Sequence, residues 1–513
     1  MKLETVIGLE IHLQLATQSK MFCACANVGP EAQPNSAVCP ICLGHPGTLP
    51  VPNREALALA LRFARALDFT VPEVTVFDRK HYAYPDLPKG YQISQFDKPI
   101  GQRGHFLVDL DGKPHRVQFE RVHIEEDSAK NIRAADGNVL VDCNRAGTPL
   151  IELVTLPLID TPAEAKLVLQ ELQRIARYLG ISQADMESGH LRCDANISLR
   201  PAPEDLAAAP IQPNAQGLFP KTEIKNLNSF RHVERALAYE ITRQVDLWNA
   251  GTPPTVTSTR GWDDRRSVTV EQRVKEDSAD YRYFAEPDIP PIALTPSFLA
   301  SVDKYVVELP RPKRQRFMAQ YNVSVSDAFL LTDDLAIADW FEHVVSELQR
   351  WVTTRLGGEE RPEEEWTKAN AKLMQQAATW VTTRLLGTLA EQGKTFSQAG
   401  VSAENFAEFL TLLAERKLNT TSAQVVLKRM VESGENPQEI MRAGDLTQVT
   451  DAASIVQLVD RTLQENADIV AEVKAGKVAK AQFLVGQVMK LSKGTADPTL
   501  VRELLAGKLD ISL

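Results

Sequence analysis

No stretch of the 513-residue chain approaches the roughly 18 consecutive apolar residues that a membrane-spanning helix needs, and Met1 to Gln18 lacks the uninterrupted apolar run of a signal peptide. The expected compartment is the cytoplasm, with no membrane partner. A surplus of positive charge is missing too: 57 Lys plus Arg face 67 Asp plus Glu, a formal charge of −10. That excludes a basic coat gripping polyanions indiscriminately, so any nucleic-acid contact must be local. Cysteine is scarce, with six in the chain. In a reducing compartment, disulfides are not the expected use of them.

The chain exceeds what one core can hold, and its apolar content suffices for two or three domains. Residues 1–295 are dominated by short alternating runs such as Gln118 to Glu125 and Gly189 to Ser198. They predict an α+β catalytic domain on a mainly antiparallel sheet. Helical patterns from Thr161 to Tyr178, opening on the capping box Thr161-Pro-Ala-Glu164, and from Ser229 to Asn249 are expected to cover the back of that sheet. The Pro-rich stretch Glu286 to Pro296 disfavours helix and marks a boundary. Beyond it, apolar residues recur at three- and four-residue spacing, as at Phe406, Phe409, Leu410 and Leu413. The reading is an all-α connector over 296–402 and a small helical tail domain over 403–513. The hexamer Trp-Val-Thr-Thr-Arg-Leu at 351–356 and 380–385 flanks an acidic insertion and is a local duplication or chance, not a solenoid.

Four of the cysteines fall close together as Cys23-Ala-Cys25 and Cys39-Pro-Ile-Cys42. Two near pairs across a loop can place four thiolates around one tetrahedral Zn²⁺, a structural site with no open position for catalysis. The alternative is four free reduced thiols.

Glu10-Ile11-His12 and His123-Ile124-Glu125 carry one arrangement in opposite order. In a strand, residues i and i+2 share a face while the Ile turns to the core. Glu152 stands alone inside the apolar run Thr148 to Leu158, where an unpaired charge costs several kcal/mol, so it needs a cation or an Arg. Glu10, Glu125 and Glu152 from separate strands suit Mg²⁺, with His12 contacting water or phosphate. The competing explanation pairs each with one of the domain's Arg or Lys residues.

The turn-rich loop Asp78 to Gln92 offers cations and aromatics, among them Tyr82 for stacking and Lys80 and Lys89 as phosphate contacts. The strand from His190 to Arg200 is polar at every even residue, including Arg192 and Asp194, and apolar at every odd one. It lines a site or is a solvated sheet face. Similar polar density in Lys221 to Asn228 and Lys275 to Tyr283 favours the site.

These segments resemble the B subunit of tRNA-dependent amidotransferases (the GatB family). The resemblance is carried by Val6-Ile-Gly-Leu-Glu-Ile-His-Leu-Gln14, the paired cysteines, Tyr84 to Gln92, Arg121 to Ala129, Asn144 to Leu153, Lys221 to Phe230 and Asp280 to Phe284. Phe483 to Lys490 looks like the family's helical tail, so the likeness spans essentially the whole chain. It implies a first domain akin to glutamine synthetase and ATP-dependent phosphorylation of the carboxylate of Glu-tRNA(Gln) or Asp-tRNA(Asn). It also implies a heterotrimer formed with two partners, an amidase and a small stabilising protein. By the same matching, Glu10, His12, Glu125 and Glu152 are the metal and phosphoryl-transfer residues. The chain holds neither a Gly-Ser-Ser-Gly-rich amidase stretch nor a nucleophilic Cys elbow, so ammonia must come from a partner. Ala285, Asn419 to Thr421 and the insertion near 351–366 depart from the family pattern, away from the acidic residues.

In the tail, Lys474, Lys477, Lys480, Lys490 and Lys493 are spaced to touch phosphates, or form an ordinary solvated helix face. The resemblance implies that this tail engages tRNA. Lys490-Leu-Ser-Lys-Gly494 has a likeness to the Lys-rich loop of class I aminoacyl-tRNA synthetases, but the chain lacks their His-Ile-Gly-His element and Rossmann pattern. A zinc-stapled scaffold that only holds tRNA and an amidase is the remaining alternative, and ATP use separates it from an enzyme.

Overall fold

The structure, a computed structural model, describes residues 1–275, 281–355, 363–444, 446, 452–492 and 496–511. The chain divides into two compact units, Met1–Arg311 and Pro312–Leu513. The first is sheet-rich and the second helical, so the architecture is α+β.

In chain order the strands of the first unit begin with β1 (Leu3–Gln14), β2 (Val74–Thr75), β3 (Asp78–His81), β4 (Tyr91–Ser94) and β5 (Gly101–Gln102). There follow β6 (His105–Leu110), β7 (Lys113–Glu126), β8 (Lys130–Arg133), β9 (Val139–Asp142), β10 (Pro149–Thr155) and β11 (Leu191–Pro201). The last are β12 (Thr222–Lys225), β13 (Thr257–Asp263), β14 (Val268–Lys275), β15 (Phe284–Ala285) and β16 (Ile292–Ala293).

The alternation read along the chain resolves into a nine-stranded sheet ordered β14, β13, β12, β11, β1, β10, β7, β5, with β6 on β7. Neighbours run antiparallel except β12 and β13, which are parallel. The long central strand β1 is paired along both edges, with β11 and β10.

The period of two sorts this sheet into faces. Ile7, Leu9, Ile11 and Leu13 of β1, Ile151 and Leu153 of β10, Val122 and Ile124 of β7 and Leu191, Ala195 and Ile197 of β11 all join one core. Each Val, Ile or Leu among them contributes about 1.5–3 kcal/mol on burial. Helices α1 (Arg54–Ala66), α2 (Pro162–Tyr178) and α3 (Phe230–Asn249) supply the other side of this core through Leu61, Phe63, Val168, Leu172, Val233 and Leu237. Their starts are capped as the sequence dictates: Asn53, Thr161 and Ser229 accept backbone N–H groups of the first turn. At α2, Glu164 reaches back to the Asp160 N–H, one residue beyond the expected box. The Pro-rich stretch does not end the unit, because α4 (Pro296–Asp303) packs on α1 and Arg65 holds Asp303 through two hydrogen bonds.

The second unit contains two cores. One joins α5 (Pro310–Tyr321), α6 (Val325–Leu331), α7 (Leu335–Arg355), α8 (Glu363–Thr379), α9 (Leu386–Glu391), α10 (Ala403–Ala414), α11 (Thr420–Ser433) and α12 (Pro437–Gly444). The helices from 403 to 444 thus share a core with those of the expected connector. The other joins α13 (Ala452–Glu465), α14 (Ala467–Lys474), α15 (Ala481–Leu491) and α16 (Pro498–Leu509). The second copy of the repeated hexamer forms a single π turn between α8 and α9, and residues 356–362 of the acidic insertion lie outside the described residues.

Candidate functional site

Register places four polar residues side by side across four strands. His12 of β1 faces Arg192 of β11 on one side and Glu152 of β10 on the other, and Glu152 faces His123 of β7. One register step away, Glu10 faces Asp194. All of them rise from the face opposite the core, and together they floor an open cleft of about 1230 Å³. That exceeds the roughly 300–1,000 Å³ of a pocket for one small ligand.

Glu152 is the hub. Its Oε2 lies 3.4 Å from His12 Nε2 and 3.3 Å from His123 Nε2. Glu125 lies 3.7 Å from each imidazole through its two oxygens. Glu10, His12 and Glu152 bring ligand atoms within 4.8 Å of one another, and so do His123, Glu125 and Glu152. Glu125, Glu152 and His123 are almost completely buried.

Burying carboxylates together opposes their charge, and the local response shows in their acidities. Burial and the neighbouring Glu152 push Glu10 up. Burial also works against charged Glu125 and Glu152, yet His123 and His12, joined by Lys80 at Glu125, hold both below the usual carboxylate range. Burial opposes a charged His123, but Glu152 and Glu125 raise its imidazole to about 9. His12 is likewise raised, through its hydrogen bond and charge contact with Glu152 against the cost of burial. The carboxylate oxygens of Glu10 and Glu152, and of Glu125 and Glu152, lie within 4.8 Å of one another, an oxygen donor set that suits a hard divalent cation.

Around this centre stand cationic and aromatic groups. Lys80 on β3 lies 4.8 Å from the Tyr281 ring and 6.0 Å from the Tyr82 ring. Burial disfavours its charge, but Glu125 and Glu152 hold the ammonium protonated. Phe96 and Tyr283 stack at 4.2 Å. Arg192 donates to Asp127 at 2.6 Å, and Asp127 also accepts from Gln14 at 3.0 Å. Lys225 of β12 bridges Asp194 and Glu223.

Of the residues expected at the site, Glu10, His12, Glu125, Glu152, Lys80, Tyr82, Arg192 and Asp194 all line this cleft. Lys89 does not. Its ammonium pairs with Glu126 at 2.5 Å and lines a smaller cavity beside the cysteine loop. His123, Asp127, Arg121, Lys225 and Tyr281 line the cleft without having been assigned. His123 carried a signal, standing two residues from Glu125 in a strand. Residues 276–280, part of a segment expected to be polar and site-directed, lie outside the described residues.

The cysteines form a separate cluster. Cys23, Cys25, Cys39 and Cys42 place their sulfurs within 4.8 Å of one another, and none is in a disulfide. A tetrahedral ion with Zn–S bonds of about 2.3 Å needs S···S edges of about 3.8 Å. Cys39 Sγ and Cys42 Sγ are 3.9 Å apart, and the Cys39 N–H donates to Cys42 Sγ at 3.2 Å. The Cys23 thiol's hydrogen bond leads the influences that lower Cys42 to about 4. The four thiols fit a tetrathiolate ion.

The family described as the GatB/GatE catalytic domain matches residues 5–300, which hold every residue of the cleft. This chain belongs to that family. The GatB domain matches residues 364–509. The chain is 42% identical over 508 residues to the B subunit of the aspartyl/glutamyl-tRNA(Asn/Gln) amidotransferase of Thermomicrobium roseum, covering 98% of each. The corresponding B subunits of Roseiflexus castenholzii (41% over 506 residues, 98% of each chain) and Thermotoga maritima (39% over 515 residues, 99% of this chain and all of the relative) are similarly close. Membership of this family therefore extends across both units. Among the described residues no helix is long and apolar enough to cross a membrane.

Proposed function

We propose that this chain is the carboxylate-activating member of a tRNA-dependent amidotransferase, an ATP-dependent carbon–nitrogen ligase that takes its amide nitrogen from glutamine. The substrate class follows the names of its relatives, Glu-tRNA(Gln) or Asp-tRNA(Asn). The observation that carries the reading is Glu152, shared between two His–Glu groups on the floor of a polar cleft.

A carboxylate resists attack by ammonia at pH 7 and must first become an acyl phosphate. One carboxylate oxygen of the substrate attacks the γ-phosphorus of ATP, the bond to the bridging oxygen breaks, and ADP leaves. Ammonia then attacks the acyl carbon, and inorganic phosphate departs with the pair of electrons from the broken C–O bond. Glu10, Glu125 and Glu152 would hold Mg²⁺, with His12 and His123 contacting its waters or a phosphate oxygen. When bound, the ion neutralises charge on the transferring phosphoryl group. Lys80, Arg192 and Lys225 add fixed positive charge over the same floor. Tyr82 and Tyr281 offer faces on which a base or ribose can stack.

Ammonia comes in this reading from an amidase partner, with a small third protein completing a cytoplasmic heterotrimer. The first unit's sheet is read as akin to glutamine synthetase, an enzyme that also activates a carboxylate with ATP. The cysteine cluster holds Zn²⁺ in a structural role, and the helical tail engages tRNA. The test is the assembled complex given ATP, Mg²⁺ and Glu-tRNA(Gln). ADP release is expected, and Glu125→Ala abolishes it while tRNA binding persists. Unchanged ADP release in that variant sinks the assignment.

A further inference from the structure

Lys20 is a fully buried lysine with 0% exposure. Among the described residues its ammonium meets no carboxylate. Its two polar neighbours are Cys42 Sγ at 3.7 Å and the Cys143 carbonyl at 3.3 Å. A lysine is almost never buried this way without an anion, because removing an ammonium from water costs several kcal/mol. Among the described residues the candidate anion at hand is the Cys42 sulfur.

The side chain is held from several directions. The Lys20 N–H donates to the Cys25 carbonyl at 3.0 Å, and the next residue, Met21, donates to the Gly147 carbonyl at 2.7 Å. Gly147 has φ +87°, and a Cβ built there would lie 3.4 Å from Lys20 Cδ. The aliphatic stem therefore runs beneath a turn whose shape only glycine adopts readily. Lys20 thus reaches the cluster along a path set by backbone on both sides.

Four thiolates around a divalent ion leave two negative charges in a partly buried loop. One buried ammonium offsets one of them. We infer that Lys20 is the charge-balancing positioning residue of the cysteine centre, fixing Cys42 in place as a ligand and strengthening the hold on the ion. This rests on the reading of the cluster as a zinc site. Hydrogen-bonding groups beyond the ligands commonly set metal affinity by 10- to 100-fold, about the range expected here.

The experiment measures zinc affinity of the full-length chain by competition with a chromophoric chelator, together with melting temperature in the zinc-loaded and zinc-free forms. Lys20→Met is expected to weaken zinc binding by about tenfold or more. It should lower the melting temperature of the loaded form and leave that of the zinc-free form unlowered. Lys20→Arg, which keeps the charge, is expected to retain most of the affinity. Equal affinity in Lys20→Met and the parent overturns the inference while leaving the zinc site standing. So does an equal loss in Lys20→Arg, or a Lys20→Met chain that fails to fold with and without zinc alike. A parent chain that takes up no zinc overturns the zinc site and this inference together.

Discussion

Glu152 lies directly across the β10–β7 ladder from His123, with its carboxylate 3.3 Å from the imidazole Nε2. Neither side chain has appreciable access to solvent. A buried pair of this kind is worth little as a source of stability, since desolvation offsets most of the attraction. Its effect is to keep the Glu152 carboxylate ionised on the floor of the cleft.

Glu152 and its neighbour Ile151 point to opposite faces of one strand, and their substitutions should separate cleanly. Glu152→Gln should reduce ATP-dependent ADP release by about 100-fold or more, roughly 3 kcal/mol of barrier, with the urea midpoint near that of the parent. Ile151→Ala should do the reverse, costing about 2–5 kcal/mol of stability while the activity per folded molecule holds. Parallel denaturation and turnover measurements decide.

His123→Gln removes the cation between Glu125 and Glu152. Without divalent ions the first unit should lose about 2 kcal/mol, as two buried carboxylates are left facing one another. Millimolar Mg²⁺ should restore much of that loss. A urea midpoint that is equally low with and without Mg²⁺ would show that the pocket does not take the ion.

In the second unit, burial works against a charged Glu342, but hydrogen bonds from Arg316 and from the nearly buried Lys313 hold its carboxyl below the usual range. A carboxyl depressed in the folded state contributes stability above its unfolded value of about 4.3 and loses it as pH falls through the folded value. The unfolding midpoint of this unit should therefore decline on acidification below about pH 5, and Glu342→Gln should flatten that decline.

Two of the tail lysines are already engaged. Lys477 and Lys480 lie 2.7 and 2.6 Å from Glu472 Oε2, while Lys493 lies outside the described residues. If the tail contacts tRNA phosphates, Glu472→Gln should tighten binding at moderate salt and steepen its salt dependence by up to about two counterions. Filter binding over a salt series measures both.

The chemistry of the cleft was largely readable along the chain because strands write their faces in alternation. Glu10, His12, Glu125 and Glu152 each stand beside apolar residues that have to point the other way, and helices α2 and α3 are legible from their caps at Thr161 and Ser229, whereas α1 with its cap at Asn53 is seen only in the structure. Pairing was not readable. The spacing of His123 from Glu125 puts the two on one face of β7, but that His123 meets Glu152 depends on β7 lying next to β10, and that Lys225 meets Asp194 depends on β12 lying next to β11, facts of topology that no local pattern carries. The place of Lys89 is likewise not legible locally: it follows a turn through Leu87 and Gly90 that carries it to Glu126, away from Lys80. Spacing alone grouped the cysteines, but the lysine beneath them could not be seen from sequence, since Lys20 looks like any surface cation until its burial is known.

The row Arg192, His12, Glu152, His123 draws one residue from each of four strands, most of them far apart along the chain. Sliding any one strand by a single residue would turn its charged member into the core and an apolar neighbour out into the cleft. Such a slip is penalised twice, by a carboxylate stranded among aliphatics and by apolar surface left in water. Misregistered yet compact molecules should therefore be too unstable to accumulate, and a population of this chain should contain competent molecules and unfolded ones, with little in between.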